Sequence, residues 1–158
     1  MAEPLADKII KKIGQAAELY YRLVLVVAPA NTGKTAALND VHMRTAAPLI
    51  NINLELSRRM LDLTERQRTL KLPRLITEIV SASETDVVLL DNIEILFDVS
   101  LKQDPLRLLQ GLSRNKTVVA AWSGATDSEY MIYAAPDHQE YKRYPLRDVL
   151  IVSPETIA

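Results

Sequence analysis

The chain has 158 residues, of which 48% are hydrophobic and 25% charged, a balance typical of one folded domain and not of a disordered protein. Nineteen Lys and Arg residues against twenty Asp and Glu residues give a net charge of −1, so charge does not support direct DNA contact, although it does not forbid it. The absence of cysteine excludes disulfides, zinc–thiolate sites and thiol catalysis.

The first predicted element is an amphipathic helix within residues 1–20. Leu5, Ile9, Ile13 and Ala17 recur every four residues, which favours a helix packed on the core over one bound to a membrane surface or a partner. No apolar run is long enough to span a bilayer, and the N-terminus lacks the apolar block of a secretory signal. We therefore expect a cytoplasmic protein without a membrane partner.

Strands and helices are predicted to alternate along the rest of the chain. Short, nearly continuous apolar runs predict strands covered on both faces at 23–28, 49–52, 87–90, 118–122 and 149–152. Helices are predicted at 33–44, 55–83 and 104–113, with Asp104 as an N-cap and Pro73 beginning a new helix within the second stretch. This order predicts an α/β fold with a five-stranded parallel sheet. Residues 124–148 are predicted to be an irregular insertion before the last strand.

The segment after the first strand predicts a phosphate-binding loop. Residues 28–35 read Ala-Pro-Ala-Asn-Thr-Gly-Lys-Thr, the Walker A pattern with Ala in place of its first Gly. Backbone N–H groups of such a loop converge on phosphate, Gly33 allows close approach, Lys34 adds positive charge and the Thr35 hydroxyl ligates Mg²⁺. The predicted ATP-binding residues are Pro29, Ala30, Asn31, Thr32, Gly33, Lys34, Thr35 and Ala36.

The third apolar run ends in Asp91, which is the Walker B pattern. An aspartate at the carboxyl end of a parallel strand faces the ligand crevice, where it can hold Mg²⁺. The next residue is Asn92, whose amide can orient water but cannot accept its proton. Glu94 is the nearest carboxylate that could serve as the base. The equal alternative is that Glu94 is a solvated loop residue without a catalytic role.

Two further residues complete the predicted catalytic set. Ser123 ends the fourth run and would lie beside the terminal phosphate if that strand neighbours the first, so it is a candidate phosphate sensor. An arginine supplied by a second subunit could stabilise the phosphoryl group, which makes a homo-oligomer an expected partner state. The residues considered for that role are Arg114, Lys142, Arg143 and Arg147, with Arg143 as the preferred candidate.

Four segments resemble the BrxF family of small P-loop proteins from type 3 BREX systems, which exclude bacteriophages. They are the phosphate loop at 28–35, Asn-Leu-Glu-Leu-Ser-Arg-Arg-Met-Leu at 53–61, Leu-Leu-Asp-Asn-Ile-Glu-Ile-Leu-Phe-Asp at 89–98, and Gln-Asp-Pro-Leu-Arg-Leu-Leu-Gln at 103–110. The resemblance implies a bacterial cytoplasmic protein that works beside a DNA methyltransferase, a helicase, a large ATPase and a phosphatase-like protein.

The order of elements also resembles the AAA+ branch of P-loop ATPases, in which an extra strand separates the phosphate loop from the Walker B strand. We therefore expect one P-loop NTPase domain over 1–158, a three-layer sandwich without the helical lid of that branch. The leading hypothesis is an ATP-binding, slowly hydrolysing component of a phage-defence complex whose assembly responds to nucleotide. A small-molecule kinase and a nucleotide-bound adaptor without turnover are the alternatives.

Overall fold

The computed structural model describes residues 4–29, 33–126, 130–133, 142–145 and 150–153, without the side chains of residues 142, 143 and 145. The α-helices are α1 Leu5–Ala16, α2 Lys34–Thr45, α3 Ile52–Met60, α4 Glu65–Ser81 and α5 Pro105–Leu112. The strands are β1 Leu23–Ala28, β2 Leu49–Asn51, β3 Val87–Asp91, β4 Thr117–Thr126, β5 Tyr130–Tyr133, β6 Lys142–Pro145 and β7 Leu150–Val152. Short 3₁₀ helices occupy Ile93–Phe97 and Val99–Leu101.

The sheet is mainly parallel. Five strands run parallel in the order β2-β3-β4-β1-β7, and every one of them corresponds to a predicted strand. The described residues add two more strands, so the predicted count of five is too low: β5 pairs antiparallel with the end of β4, and β6 pairs with β5.

The added strands lie within 124–148, the region predicted to be irregular. In β5, Met131 and Tyr133 are buried whereas Tyr130 and Ile132 are only partly so, which is the alternation of a half-buried strand. The ring of Tyr133 stacks on Phe97 with a centroid distance of 3.5 Å. Burial of these aromatic residues holds the hairpin of β5 and β6 on the core. The sequence does not reveal this packing, because the strands are short and lie among turn-forming residues.

Helices cover both faces of the parallel sheet. Leu23, Leu25 and Val27 of β1 point into one core, which is completed by residues of α3, α4 and α5. Val24 and Val26 point to the opposite core, where α1 and α2 pack. The predicted core-packing role of the N-terminal helix is confirmed, since Ile9 of α1 is fully buried there. Among the described residues, none of the helices is long and apolar enough to cross a lipid bilayer.

The prediction that Pro73 begins a helix is wrong, because Pro73 lies inside α4. The helix begins earlier, where Thr64 and Gln67 form a reciprocal capping box. Proline has no N–H to donate to the carbonyl four residues earlier, which is that of Thr69. That carbonyl instead accepts a hydrogen bond of 2.8 Å from the Gln103 side-chain amide. The Gln103 side chain, which is distant in sequence, thus supplies the hydrogen bond that Pro73 cannot make.

Candidate functional site

The carboxyl ends of the parallel strands bring the predicted site residues together. β1 ends at Ala28 and β3 ends at Asp91, while Ser123 of β4 lies in register with Ala28. Parallel strands place such ends at one edge of the sheet, where ligands of open α/β sheets bind. α2 starts at this edge and leads away from it, with Lys34 as its first residue.

Lys34 is held at this edge by backbone carbonyls. Its ammonium donates to the Ala28 carbonyl at 2.9 Å and to the Pro29 carbonyl at 2.7 Å, and the residue is only 7% exposed. An ammonium has three N–H donors, so one more can reach a phosphate oxygen. Gly33 precedes it with φ of +94°, a backbone conformation that glycine adopts readily. The loop residues 30–32, predicted to bind phosphate, lie outside the described residues.

Thr35 and Asp91 form a direct hydrogen bond. The Thr35 hydroxyl donates to Asp91 Oδ2 at 2.7 Å, across 56 positions of sequence. The other oxygen, Oδ1, accepts from the Asn92 N–H at 2.9 Å, which fixes the orientation of this buried carboxylate. One hydroxyl and one carboxylate are hard oxygen donors of the kind that Mg²⁺ prefers, so the donor set fits this ion.

Asn92 has a backbone conformation that the apolar run before it does not predict. Its φ of 55° and ψ of 51° are left-handed, and its side chain is exposed. Its carbonyl accepts from the Asn53 N–H at 3.1 Å, which ties the turn to the start of α3. Asparagine tolerates this conformation better than other residues with a side chain, and that tolerance is the sequence signal that could have found it. The turn directs the chain into the 3₁₀ helix that carries Glu94.

Glu94 and Ser123, singled out separately in the sequence, contact each other. The Ser123 hydroxyl donates to Glu94 Oε1 at 2.8 Å, and both side chains are partly buried. Glu94 therefore lies where β4 pairs with the end of β1, the strand that leads into the predicted phosphate loop. Its side chain is partly buried and hydrogen-bonded, so it is not freely solvated.

The electrostatics of the site are dominated by the enclosure of Lys34. Burial lowers the pKa of its ammonium from the ordinary lysine value, while the negative charges of Glu94 and then Asp91 oppose that shift. Lowering prevails, so the lysine loses its proton more readily than an exposed one. A nucleotide phosphate adds negative charge and favours the protonated form.

The structure describes the other predicted site residues only in part. Ala36 is an exposed residue in the first turn of α2. Arg143 lies in β6, but its side chain is outside the described part of the chain, as is all of Arg147. Arg114 precedes the amino end of β4, at the edge of the sheet opposite Lys34 and Asp91, and its guanidinium lies 5.1 Å from the ring centroid of Tyr20.

The fold and site described above define an α/β protein with a parallel sheet and helices on both faces. No family model matches the sequence, and a search of the curated proteins found no significant match. Among solved structures, the chain is similar to C. elegans PCH-2, with 17% identity, a TM-score of 0.38 and coverage of 94% of this chain and 39% of that one. The chain thus spans about two fifths of the length of PCH-2.

Proposed function

We propose that this chain is a P-loop NTPase of the AAA+ type that binds ATP with Mg²⁺ and hydrolyses it slowly. The observation that carries the proposal is the Thr35–Asp91 hydrogen bond of 2.7 Å beside the buried ammonium of Lys34. Three residues predicted from two separate motifs thus share one edge of the sheet. The sheet order supports the same class, since β4 lies between the phosphate-loop strand β1 and the aspartate strand β3.

Each of the described site residues has a role in this proposal. Lys34 binds the β- and γ-phosphates through its free N–H, and Gly33 lets the backbone approach them. Thr35 and Asp91 would hold Mg²⁺, which when bound neutralises charge on the phosphate oxygens. Asn92, at the rim of the site, can hydrogen-bond a water molecule.

Glu94 is the proposed general base. It accepts a proton from water as the water oxygen bonds to the terminal phosphorus and the bond to the bridging oxygen breaks. ADP leaves with that bonding pair, and the proton returns to solvent from the Glu94 carboxyl group. Asn92 occupies the position directly after the aspartate and cannot accept this proton, which favours slow turnover.

Binding by the wild type and by Lys34→Ala tests the proposal. We expect Lys34→Ala to weaken binding of ATP with Mg²⁺ by about tenfold to a hundredfold, since hydrogen bonds to charged groups contribute about 1.5–3 kcal/mol. Fluorescence titration measures the affinity, and circular dichroism verifies the fold. The matched control is Lys71→Ala, which removes an exposed lysine of α4. Equal affinities for the wild type and a folded Lys34→Ala protein would contradict the assignment.

We also propose that the protein acts in bacteriophage exclusion, in a complex of the BREX type, with nucleotide controlling its assembly. This part is supported by the sequence resemblance at 28–35, 53–61, 89–98 and 103–110. The test is the efficiency of phage plating on bacteria that carry the complete system. Lys34→Ala should abolish protection at unchanged protein level, while Lys71→Ala should preserve it.

A further inference from the structure

A polar cavity lies at the amino edge of the parallel sheet, opposite the edge that carries Lys34 and Asp91. Its volume is about 440 Å³, which falls within the range of about 300–1,000 Å³ typical of small-ligand sites. It is lined by Tyr20 before β1, by Gly111 of α5, and by Arg114 and Asn115 before β4. The described residues that we assign to ATP do not line this cavity.

Tyr20 contributes an accessible aromatic ring to the cavity. The residue is 67% exposed, and the ring of Tyr21 packs edge-on against it with centroids 4.8 Å apart. The guanidinium of Arg114 lies 5.1 Å from the Tyr20 ring centroid, a distance at which a cation is attracted to the face of a ring. The cavity therefore combines an aromatic surface with a positive charge.

Backbone hydrogen bonds hold together the two segments that carry these side chains, residues 17–22 and 111–116. The Arg22 N–H donates to the Ser113 carbonyl at 3.0 Å, and the Arg22 carbonyl accepts from the Val118 N–H at 2.8 Å. The Arg22 guanidinium also donates to the Arg114 carbonyl at 3.4 Å, which brings a second guanidinium to the same turn. The ring and the charges are thus positioned by the fold before a ligand binds.

The balance of charge around the cavity is positive, although the whole chain has a net charge of −1. Glu18 is the only acid in the two segments, and their basic residues are Arg22, Arg114 and Lys116. The Lys116 ammonium donates to two backbone carbonyls of the loop 83–86 and is therefore engaged there. The two guanidiniums still outnumber the one carboxylate, which favours an anionic ligand.

We propose that this cavity binds single-stranded nucleic acid. An unpaired base stacks on the Tyr20 ring, the guanidiniums of Arg22 and Arg114 bind backbone phosphates, and the exposed Asn115 amide contacts a base edge. Stacking on an aromatic ring next to a positive surface is the combination by which proteins bind single strands without sequence preference. A duplex fits less well, because its bases are already stacked on one another.

A protein partner could pair its carboxylates with the same guanidiniums. An amide beside an accessible ring favours a planar ligand that has hydrogen-bonding edges, and a base provides both features. The proposal goes beyond ATP binding and does not depend on it, since the two sites lie at opposite edges of the sheet.

Fluorescence anisotropy of a short labelled oligothymidylate, measured on the full chain without ATP, tests the proposal. We expect Tyr20→Ala to weaken binding by about fivefold to a hundredfold, the usual contribution of one stacked base, and Tyr20→Phe to retain most of the affinity. A duplex of equal length should bind much more weakly than the single strand. Oligouridylate of the same length is the RNA arm, and comparison of the two single strands shows which of them the site prefers.

The salt dependence of binding separates the charge from the ring. Arg114→Gln should weaken binding and lower the slope of log affinity against log salt by about 0.7, the value for one phosphate contact with a single strand. Tyr20→Ala should leave that slope unchanged. The matched control is Arg66→Gln, which removes an exposed arginine of α4 and should change neither affinity nor slope.

Several outcomes overturn the proposal. It is wrong if the wild type binds neither single strand, or if a folded Tyr20→Ala protein binds them as tightly as the wild type does. Displacement of the strand by excess ATP and Mg²⁺ would place it at the phosphate loop instead. A change of mass in light scattering for Tyr20→Ala, at unchanged oligonucleotide affinity, would assign this surface to a protein contact. The ATP titration of Lys34→Ala tests the proposed function separately from all of these results.

Discussion

At the scale of single residues, Lys34 predicts a pH dependence of nucleotide binding. Burial lowers the pKa of its ammonium, and the proposed contact with phosphate requires that group to be charged. Because bound phosphate favours the proton, ATP affinity should start to fall as pH rises past the lowered pKa of the free protein. We expect the fall to begin below the pH at which an exposed lysine titrates.

Titration of ATP affinity between neutral and alkaline pH measures this effect. Lys34→Arg is the comparison, because a guanidinium keeps its charge over the whole range. The slope of affinity against pH, and not its absolute level, should be smaller in that variant. Parallel slopes for the two proteins would show that another group is responsible.

The left-handed backbone of Asn92 leads to a second residue-scale prediction. A β-branched side chain at φ of 55° meets severe steric conflict, whereas glycine meets none. We expect Asn92→Val to lower the free energy of unfolding by about 1–3 kcal/mol and Asn92→Gly to change it little. Urea denaturation measures both. Asn115→Val is the control, since Asn115 is exposed and its φ is not positive; a similar loss there would remove the backbone explanation.

At the scale of elements, the interior proline of α4 depends on Gln103. The Gln103 amide donates to the Thr69 carbonyl, which Pro73 cannot serve. Gln103→Ala should therefore lower the free energy of unfolding by about 1–3 kcal/mol. In a Pro73→Ala background the loss should be smaller, because alanine at position 73 supplies an N–H to the same carbonyl. Urea denaturation of the four proteins gives the coupling, and additive losses would contradict this account.

The difference between the parallel strands and α4 explains which elements the sequence could predict. The five parallel strands are visible as continuous apolar runs because both of their faces are buried, and Asp104 is visible as an N-cap, which the structure confirms by its bond to the Arg107 N–H. The continuity of α4 through Pro73 is not visible, since its missing donor comes from residue 103. Local rules cannot predict a hydrogen bond that the tertiary fold supplies.

In the candidate site, too, some features could be predicted from the sequence and others depend on the fold. The placement of Lys34, Thr35 and Asp91 at one edge of the sheet follows from local motifs, since each short segment carries both the residues and their strand context. The Ser123–Glu94 bond requires knowledge that β4 lies between β1 and β3. The left-handed turn at Asn92 further decides where Glu94 points, and a single asparagine is too weak a signal to predict that turn.

At the scale of the whole molecule, several of the described arginines form ion pairs with residues outside the site. Arg44 binds Asp7 at 2.7 Å, Arg59 binds Glu55 at 3.1 Å and Arg74 binds Glu78 at 3.1 Å. A second positive charge beside the phosphates, in addition to Lys34, would stabilise the transferring phosphoryl group. Arg143 of a neighbouring copy remains our preferred source of it.

An arginine supplied by a neighbouring copy predicts self-association that depends on nucleotide. If the assembled form binds ATP more tightly because Arg143 of a neighbouring copy contacts its phosphates, ATP must by linkage favour assembly. Light scattering should therefore show a larger mass with ATP and Mg²⁺ than without nucleotide. A monomer at every concentration in the presence of ATP and Mg²⁺ would contradict this mechanism.

Mixing two inactive variants decides whether the arginine acts between copies. Lys34→Ala should bind ATP poorly but retains Arg143, whereas Arg143→Ala retains Lys34 but lacks the arginine. Loss of such an arginine can slow turnover by about a thousandfold or more, so each variant should be nearly inactive. Their mixture should hydrolyse ATP well above the sum of the two, because mixed assemblies combine one intact loop with one intact arginine. Arg66→Ala, which removes an exposed arginine of α4 and should keep wild-type turnover, serves as the matched control. Turnover of the mixture equal to the sum of its parts would place the arginine within its own copy or outside the reaction.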